Sequence, residues 1–235
     1  MMRIQRALAR SGIASRRRAD ELVAAGRVRV NGQVAQIGQS VDPERDKITV
    51  DGAEVAPPPA SATWIVLNKP SGVLTARSDK AGRRTVFDLV DDVPGLTYVG
   101  RLDYMTEGVL LLTTDGAAAH RLTHPSAGVE RTYVATVRGD AVAGVRLARS
   151  GMTLDDGEIV RPVDVSARSV GQRRWEFEVT ITEGKHHEVR RLCDALDLDV
   201  ERLVRTRFGP VRLGNLTSGA SRPLTTAERS VIDHA

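Results

Sequence analysis

Apolar residues follow two rhythms along this chain of 235 residues. The first is helical: Ile4, Leu8 and Ile13 predict a short helix stopped near Gly12. Ser15 can cap a second helix over Arg16–Ala25, with Gly26 just beyond its end. From Arg27 the period drops to two. Arg27-Val28-Arg29-Val30 alternates, Asn31-Gly32 signals a hairpin, and Gln33 to Ile37 resumes the strand. Lys47 to Val50 followed by Asp51-Gly52 repeats the pattern. Two helices and small strands thus make a module over residues 1–55. Residues 56–63 have three consecutive prolines and no periodicity, and read as a semi-rigid linker.

Past the linker, Trp64 to Leu67 predicts a buried strand, broken at Lys69-Pro70-Ser71-Gly72. Strands over Thr97 to Leu102 and Gly108 to Thr114 flank a polar turn, and a helix follows from Asp115 to His124. Arg131 to Arg138 alternates with Tyr133, Ala135 and Val137 on one face. Residues 174–182 alternate with Trp175, Phe177, Val179 and Ile181 inward. Glu188 to Leu196 fits a helix, Leu203 to Leu213 a strand around Gly209-Pro210, and Thr225-x-x-Glu228 a capped last helix. Strands and helices without a βαβ rhythm predict an α+β domain with a largely antiparallel sheet over residues 64–235.

Composition narrows the function. Hydrophobic residues at 41% and charged residues at 27% are ordinary globular values, which rules out disorder as the whole answer. No run of eighteen apolar residues exists, so no membrane span is expected. Cys193 is the single cysteine, which excludes a disulfide framework and a thiolate-rich zinc site. His120 and His124 share a helical face without further ligands beside them. A cytoplasmic protein needing no metal or cofactor is the expectation.

The net charge of +4 is modest but unevenly spread. Residues 1–30 hold eight arginines against Asp20 and Glu21. This is a candidate nucleic-acid footprint, with a solvated basic helix as the plainer alternative. A transit peptide is a third option, disfavoured by the compact module that this stretch belongs to. The chain has three Tyr, three Phe and two Trp, and none is interleaved with the N-terminal arginines. RNA would therefore be gripped there by phosphate and shape rather than by stacked bases.

Two segments carry candidate chemistry. Gly100-Arg101-Leu102-Asp103-Tyr104-Met105-Thr106-Glu107-Gly108 sets a carboxylate after a strand end, between two glycines. Asp103 is there either as an ordinary turn residue or as a general base or nucleophile kept ionised by its surroundings. Glu183 to Cys193 brings cations onto the first turn of a helix, against the macrodipole by about 0.3–1 kcal/mol each. Phosphate or a buried carboxylate would explain them; a solvated charged face is the alternative. Arg202, Arg205, Arg207 and Arg212 follow, opposed in residues 200–212 by Glu201.

Together these segments resemble one family from Met2 to about residue 232: the RsuA/RluB-like ribosomal RNA pseudouridine synthases. RIQRALARSGIASRRRADELVAAGRVRVNG resembles that family's S-four-type RNA-binding domain. GRLDYMTEGVLLLTTDG is similar to the catalytic motif, whose Asp falls on Asp103. RTYVATV matches the motif bearing the active-site Tyr, at Tyr133, and EGKHHEVRRLCDAL the motif whose Arg falls on Arg190. LNKPSGVLT and LVRTRFGPVRLGNL complete the pattern. Arg131 stands where the family usually has Lys, Met105 at an often acidic or polar position, and His186-His187 in place of an Asn-Arg-like pair.

The resemblance implies an S-four-type domain at 1–55, the linker at 56–63 and an α+β pseudouridine synthase domain at 64–235. It implies conversion of an extruded uridine to its carbon-linked isomer. Arg101 would sit beside the space the uridine leaves. Asp103 would act on the ribose as nucleophile or base, Arg190 would hold it ionised, and Tyr133 would stack on the base and move a proton at carbon five. Arg3, Arg16, Arg17, Arg27, Lys69, Arg101, Lys185, Arg191 and Arg205 are the expected RNA contacts. The expected partner of a monomeric enzyme is ribosomal RNA, large-subunit RNA foremost, or a pre-ribosomal particle, with no DNA or membrane. A small-subunit RNA target, or an RNA-binding assembly factor without chemistry, are the alternatives.

Overall fold

The computed structural model describes residues 1–57, 61–171 and 173–234, so the middle of the expected linker, residues 58–60, lies outside the described residues. Two compact units emerge. One contains Met1–Trp64 with Asp91–Thr97 and Leu112–Gly116; the other contains Ile65–Val90, Tyr98–Leu111 and Ala117–Ala235.

The first unit runs β1 (Met2–Arg3), α1 (Ile4–Arg10), α2 (Arg16–Ala24), β2 (Val28–Val30), β3 (Gln33–Val34), β4 (Ser40–Val41), β5 (Ile48–Val50) and β6 (Ala53–Glu54). The Ser15 hydroxyl accepts the Arg18 N–H at 3.3 Å and so caps α2. Asn31-Gly32 and Asp51-Gly52 all take positive φ, as tight hairpin turns require, and fold β3-β2-β5-β6 into one antiparallel sheet. Ile4, Leu8, Leu22, Val28, Val41 and Ile48 are buried in one core. The strand expected over Gln33–Ile37 pairs only as far as Val34, and Ile37 is exposed.

The remaining elements are β7 (Trp64–Lys69), β8 (Thr97–Val99), β9 (Thr106–Thr113), α3 (Gly116–Thr123), β10 (Arg131–Arg138), α4 (Ala141–Ser150), β11 (Met152–Thr153), β12 (Ile159–Val160), β13 (Asp164–Gly171), β14 (Arg174–Ile181), α5 (Glu188–Ala195), β15 (Asp199–Phe208), β16 (Val211–Arg212), β17 (Ser221–Pro223) and α6 (Thr226–Asp233). One large sheet has the order β13-β14-β10-β15-β9-β7-β17, with β16 beside β15 and β8 beside β9. It is mixed: β13–β14, β14–β10, β10–β15, β15–β16 and β7–β17 pair antiparallel, while β9–β15 is parallel. α6 begins with the Thr225/Glu228 capping box.

Three positions line up across the middle of this sheet. Tyr133 of β10 pairs with Arg205 of β15, and Arg205 pairs with Gly108 of β9. A register shift between Thr132 and Tyr133 marks a bulge at this point. Gly108 takes φ +103°, and a Cβ there would overlap the Arg205 carbonyl, so the parallel strands approach this closely only with glycine. Gly108→Ala should therefore cost about 2 kcal/mol or more and lower Tm by roughly 4–8 °C. Gly214 also has positive φ but nothing within 4 Å of a Cβ. Gly214→Ala should cost less than half as much. Thermal melts of the two variants check this, and equal losses would contradict it.

Candidate active site

The Asp103 loop is tied down from below. Lys69, the last residue of β7, is fully buried. Its ammonium donates to the carbonyls of Pro70 at 3.0 Å, Tyr104 at 3.3 Å and Thr106 at 2.9 Å. Three donors thus meet three acceptors. The Thr75 hydroxyl donates to the Leu102 carbonyl at 2.8 Å and accepts its N–H at 3.3 Å. Gly72 N–H donates to the Tyr104 carbonyl at 2.9 Å. The backbone on both sides of Asp103 is therefore fixed, while its side chain remains 38% exposed.

Asp103 opens onto a cavity of about 510 Å³ lined also by Arg101, Tyr133, Arg190 and Arg205. Tyr133, on β10, is 8% exposed. Arg190 reaches the Asp103 loop from α5, donating to the Met105 carbonyl at 3.4 Å. The side chain nearest the carboxylate is instead His187, whose Nε2 lies 3.3 Å from Asp103 Oδ1. This departs from the expected Arg190–Asp103 pair. The reason is local: His187 takes a left-handed φ of +52° at the head of α5, and its ring stacks on His186 at 3.9 Å.

Buried charge is concentrated around the cavity. Arg131 is 6% exposed and donates to the carbonyls of Val129 (2.8 Å), Thr182 (2.5 Å), Glu183 (3.3 Å) and Leu122 (3.3 Å). It thereby clamps the turn that leads into α5. Glu188 is buried and accepts the Lys185 N–H at 3.0 Å; burial raises its pKa above the ordinary carboxylate value. Burial also lowers Lys69, from 10.5 to about 8, against the pull of Asp103 and Glu107. Cys193 is buried and its thiol is pushed up to about 12, which makes it unreactive. Among the described residues, no three His, Cys, Asp or Glu side chains form a group that could hold a metal ion. Nor is any described helix long and apolar enough to cross a membrane.

Two expected RNA contacts need correction. Lys69 and Arg205 are 0% and 2% exposed, with the Lys69 ammonium and two of the Arg205 nitrogens turned to backbone carbonyls and to Tyr133, so neither presents a charge to a phosphate. The period-two pattern carried the clue for Arg205, because it shares the inward face of β15 with Leu203. Arg191 is held by Asp155, Asp156 and Glu158, which neutralise it. Lys185 is exposed but paired with Glu183 and Glu158. Arg101 is exposed at the cavity. In the other unit, Arg3, Arg16 and Arg17 are exposed, and Arg27 makes a two-pronged pair with Asp51.

Comparison with known proteins identifies the family of the chain. A family model described as RNA pseudouridylate synthase matches residues 63–195, and an S4 domain model matches residues 2–54. An uncharacterised RNA pseudouridine synthase of Mycobacterium tuberculosis is 42% identical over 233 residues, covering 97% of this chain and 91% of that protein. The ribosomal large subunit pseudouridine synthase B of Bacillus subtilis is 36% identical over 243 residues, covering 100% and 98%. Its namesake in Pseudomonas aeruginosa is 39% identical over 238 residues, covering 98% of this chain and 61% of its own length. A crystal structure of a pseudouridylate synthase superposes with TM-score 0.63 at 27% identity, covering 99% of both chains.

The Lys69 shift gives a pH dependence with a definite sign. Between about pH 8 and 10.5 the unfolded chain keeps a proton at this position that the folded protein has released. Stability contributed by Lys69 therefore rises with pH across that window and is flat outside it. Denaturant midpoints of wild type and Lys69→Met, compared from pH 7 to 10.5, should move in favour of wild type above pH 8. A constant difference would contradict the assignment. Lys69→Met should also be the less stable protein throughout, because it leaves three carbonyls without their donor.

Proposed function

The chain belongs to the RNA pseudouridylate synthase family, and from that premise we propose that it isomerises one uridine of large-subunit ribosomal RNA. The observation that carries the reading is a carboxylate, Asp103, on a pinned loop at a cavity walled by Tyr133 and buried cations. The target RNA follows the two relatives named for the large subunit, which match nearly the whole of this chain. We assign residues 1–55 to RNA binding, 56–63 to the linker and 64–235 to catalysis. The enzyme acts as a cytoplasmic monomer on ribosomal RNA or a pre-ribosomal particle.

The reaction leaves composition unchanged. The bond from ribose C1′ to base N1 breaks, the base turns, and C1′ joins C5; C5 loses a proton and N1 gains one. Extruding the nucleotide costs a few kcal/mol, offset by phosphate contacts from exposed arginines. Arg101, exposed at the cavity mouth, stands beside the vacated space. Asp103 acts on the ribose, as nucleophile or as base. Arg190 supports its loop through Met105. Tyr133 stacks on the base and presents its oxygen to C5.

Carbodiimide mapping of pseudouridines in cells lacking the gene tests the function and names the target. One large-subunit signal should vanish and return with the wild-type gene. A signal lost from small-subunit or transfer RNA would overturn the large-subunit assignment, and an unchanged map would overturn the reading. For the first unit, the test is the salt dependence of RNA binding. Replacing Arg3, Arg16 and Arg17 by Gln should reduce the slope of log affinity against log salt by about 2–3. An unchanged slope would show that these arginines do not meet phosphate.

A further inference from the structure

Arg205 is buried against the reacting face of the cavity and has a donor to spare. Its Nε donates to the Val109 carbonyl at 2.8 Å, and its Nη1 to the Tyr133 phenol oxygen at 3.4 Å. Its Nη2 is buried and meets no hydrogen-bond partner among the described residues. The guanidinium carbon lies 6.0 Å from the Tyr133 ring centre and 5.2 Å from that of Phe208. This placement is built into the sheet: Tyr133, Arg205 and Gly108 pair in a row across three strands, beside the bulge in the β10–β15 ladder.

The charges around Tyr133 are mostly positive. Arg131 on its own strand and Arg205 on β15 act on each other, and Arg205 acts on Lys69 of β7. The buried carboxylate among them is Glu188 of α5, and Asp103 lies at the cavity. The phenol oxygen thus has buried cations for neighbours, one of which already directs an N–H at it.

We propose that Arg205 is a positioning residue for the isomerisation, acting through Tyr133. Its N–H fixes the phenol oxygen as an acceptor, which turns the phenol O–H toward the cavity and offsets charge on that oxygen. This rests on the reading of Tyr133 as the group that moves the C5 proton. Once C1′ has joined C5, the C5–H bond breaks, its electron pair returns to the base ring, and N1 takes up a proton from solvent. The C5 proton passes to the Tyr133 phenolate, and the phenol so formed releases it to solvent. Arg205 compensates the phenolate before transfer and keeps the oxygen aimed afterwards.

The test uses the full-length enzyme on an RNA transcript labelled at uridine C5, following release of the label. Arg205→Met should lower kcat about ten-fold or more while KM stays within about two-fold. Arg205→Lys, which keeps the charge and a donor, should restore part of the rate. A deuterium isotope effect at C5 should grow in Arg205→Met. In a Tyr133→Phe background, adding Arg205→Met should cost less than about two-fold further. Multiplying losses in the double variant, or a loss confined to KM, would overturn the proposal. Should Arg205→Met fail to fold, Arg205→Lys decides: a rate below wild type with an enlarged isotope effect supports the role, and a lower rate without one overturns it. The two assignments fail differently. A Tyr133→Phe enzyme at wild-type rate rejects the role of Tyr133, whereas a slow Tyr133→Phe enzyme beside a full-rate Arg205→Met enzyme rejects Arg205 alone.

Discussion

A buried ammonium bound to three carbonyls holds the Asp103 loop in place. Lys69 ends β7, a strand otherwise filled by Trp64, Val66 and Leu67 in the core, and it has no exposed surface. Taking an ammonium out of water costs several kcal/mol unless its donors are met. Pro70, Tyr104 and Thr106 meet them, and two of these flank the turn that presents Asp103. The site thus gains a rigid carboxylate without burying the carboxylate itself.

The same device recurs around the cavity. Arg131 spends its donors on the carbonyls of Leu122, Val129, Thr182 and Glu183, and Arg205 spends one on Val109. Because carbonyls are neutral, these cations are solvated by the backbone without being cancelled by carboxylates. Arginines elsewhere are treated differently: Arg191, Arg202 and Arg222 are each paired with acids. Positive charge is therefore left without a carboxylate partner beside the cavity, and is paired with acids at Arg191, Arg202 and Arg222.

Much of this was legible in the sequence. β10 and β14 follow clean period-two patterns, and α2 and α6 start at the residues that cap them. α4 was not legible, because its burial inverts the usual rule. Ala141, Gly144 and Ala148 face the protein, while Val142 and Leu147 stay about half exposed. Gly144 gives room to Leu198 and Phe177, so small residues make the packed face. β13 was missed because it ends the sheet order beyond β14 and buries little besides Val165. At the site, Asp103, Tyr133 and Arg190 stood out through their motifs. The inward turn of Lys69 and Arg205 did not, since a charge in a sequence reads by default as facing water. The contact of His187 with Asp103 depends on a left-handed backbone that no local pattern announces.

The central claim is that Asp103 performs the chemistry in a site whose loop is set by the fold. Release of a C5 label from ribosomal RNA transcripts, measured for purified wild type and Asp103→Asn, tests it most directly. Wild type should release the label from its target uridine. Asp103→Asn should release none, while binding the same RNA within a few-fold, because the substitution keeps the loop and removes the charge. Equal release by the two proteins would contradict the account.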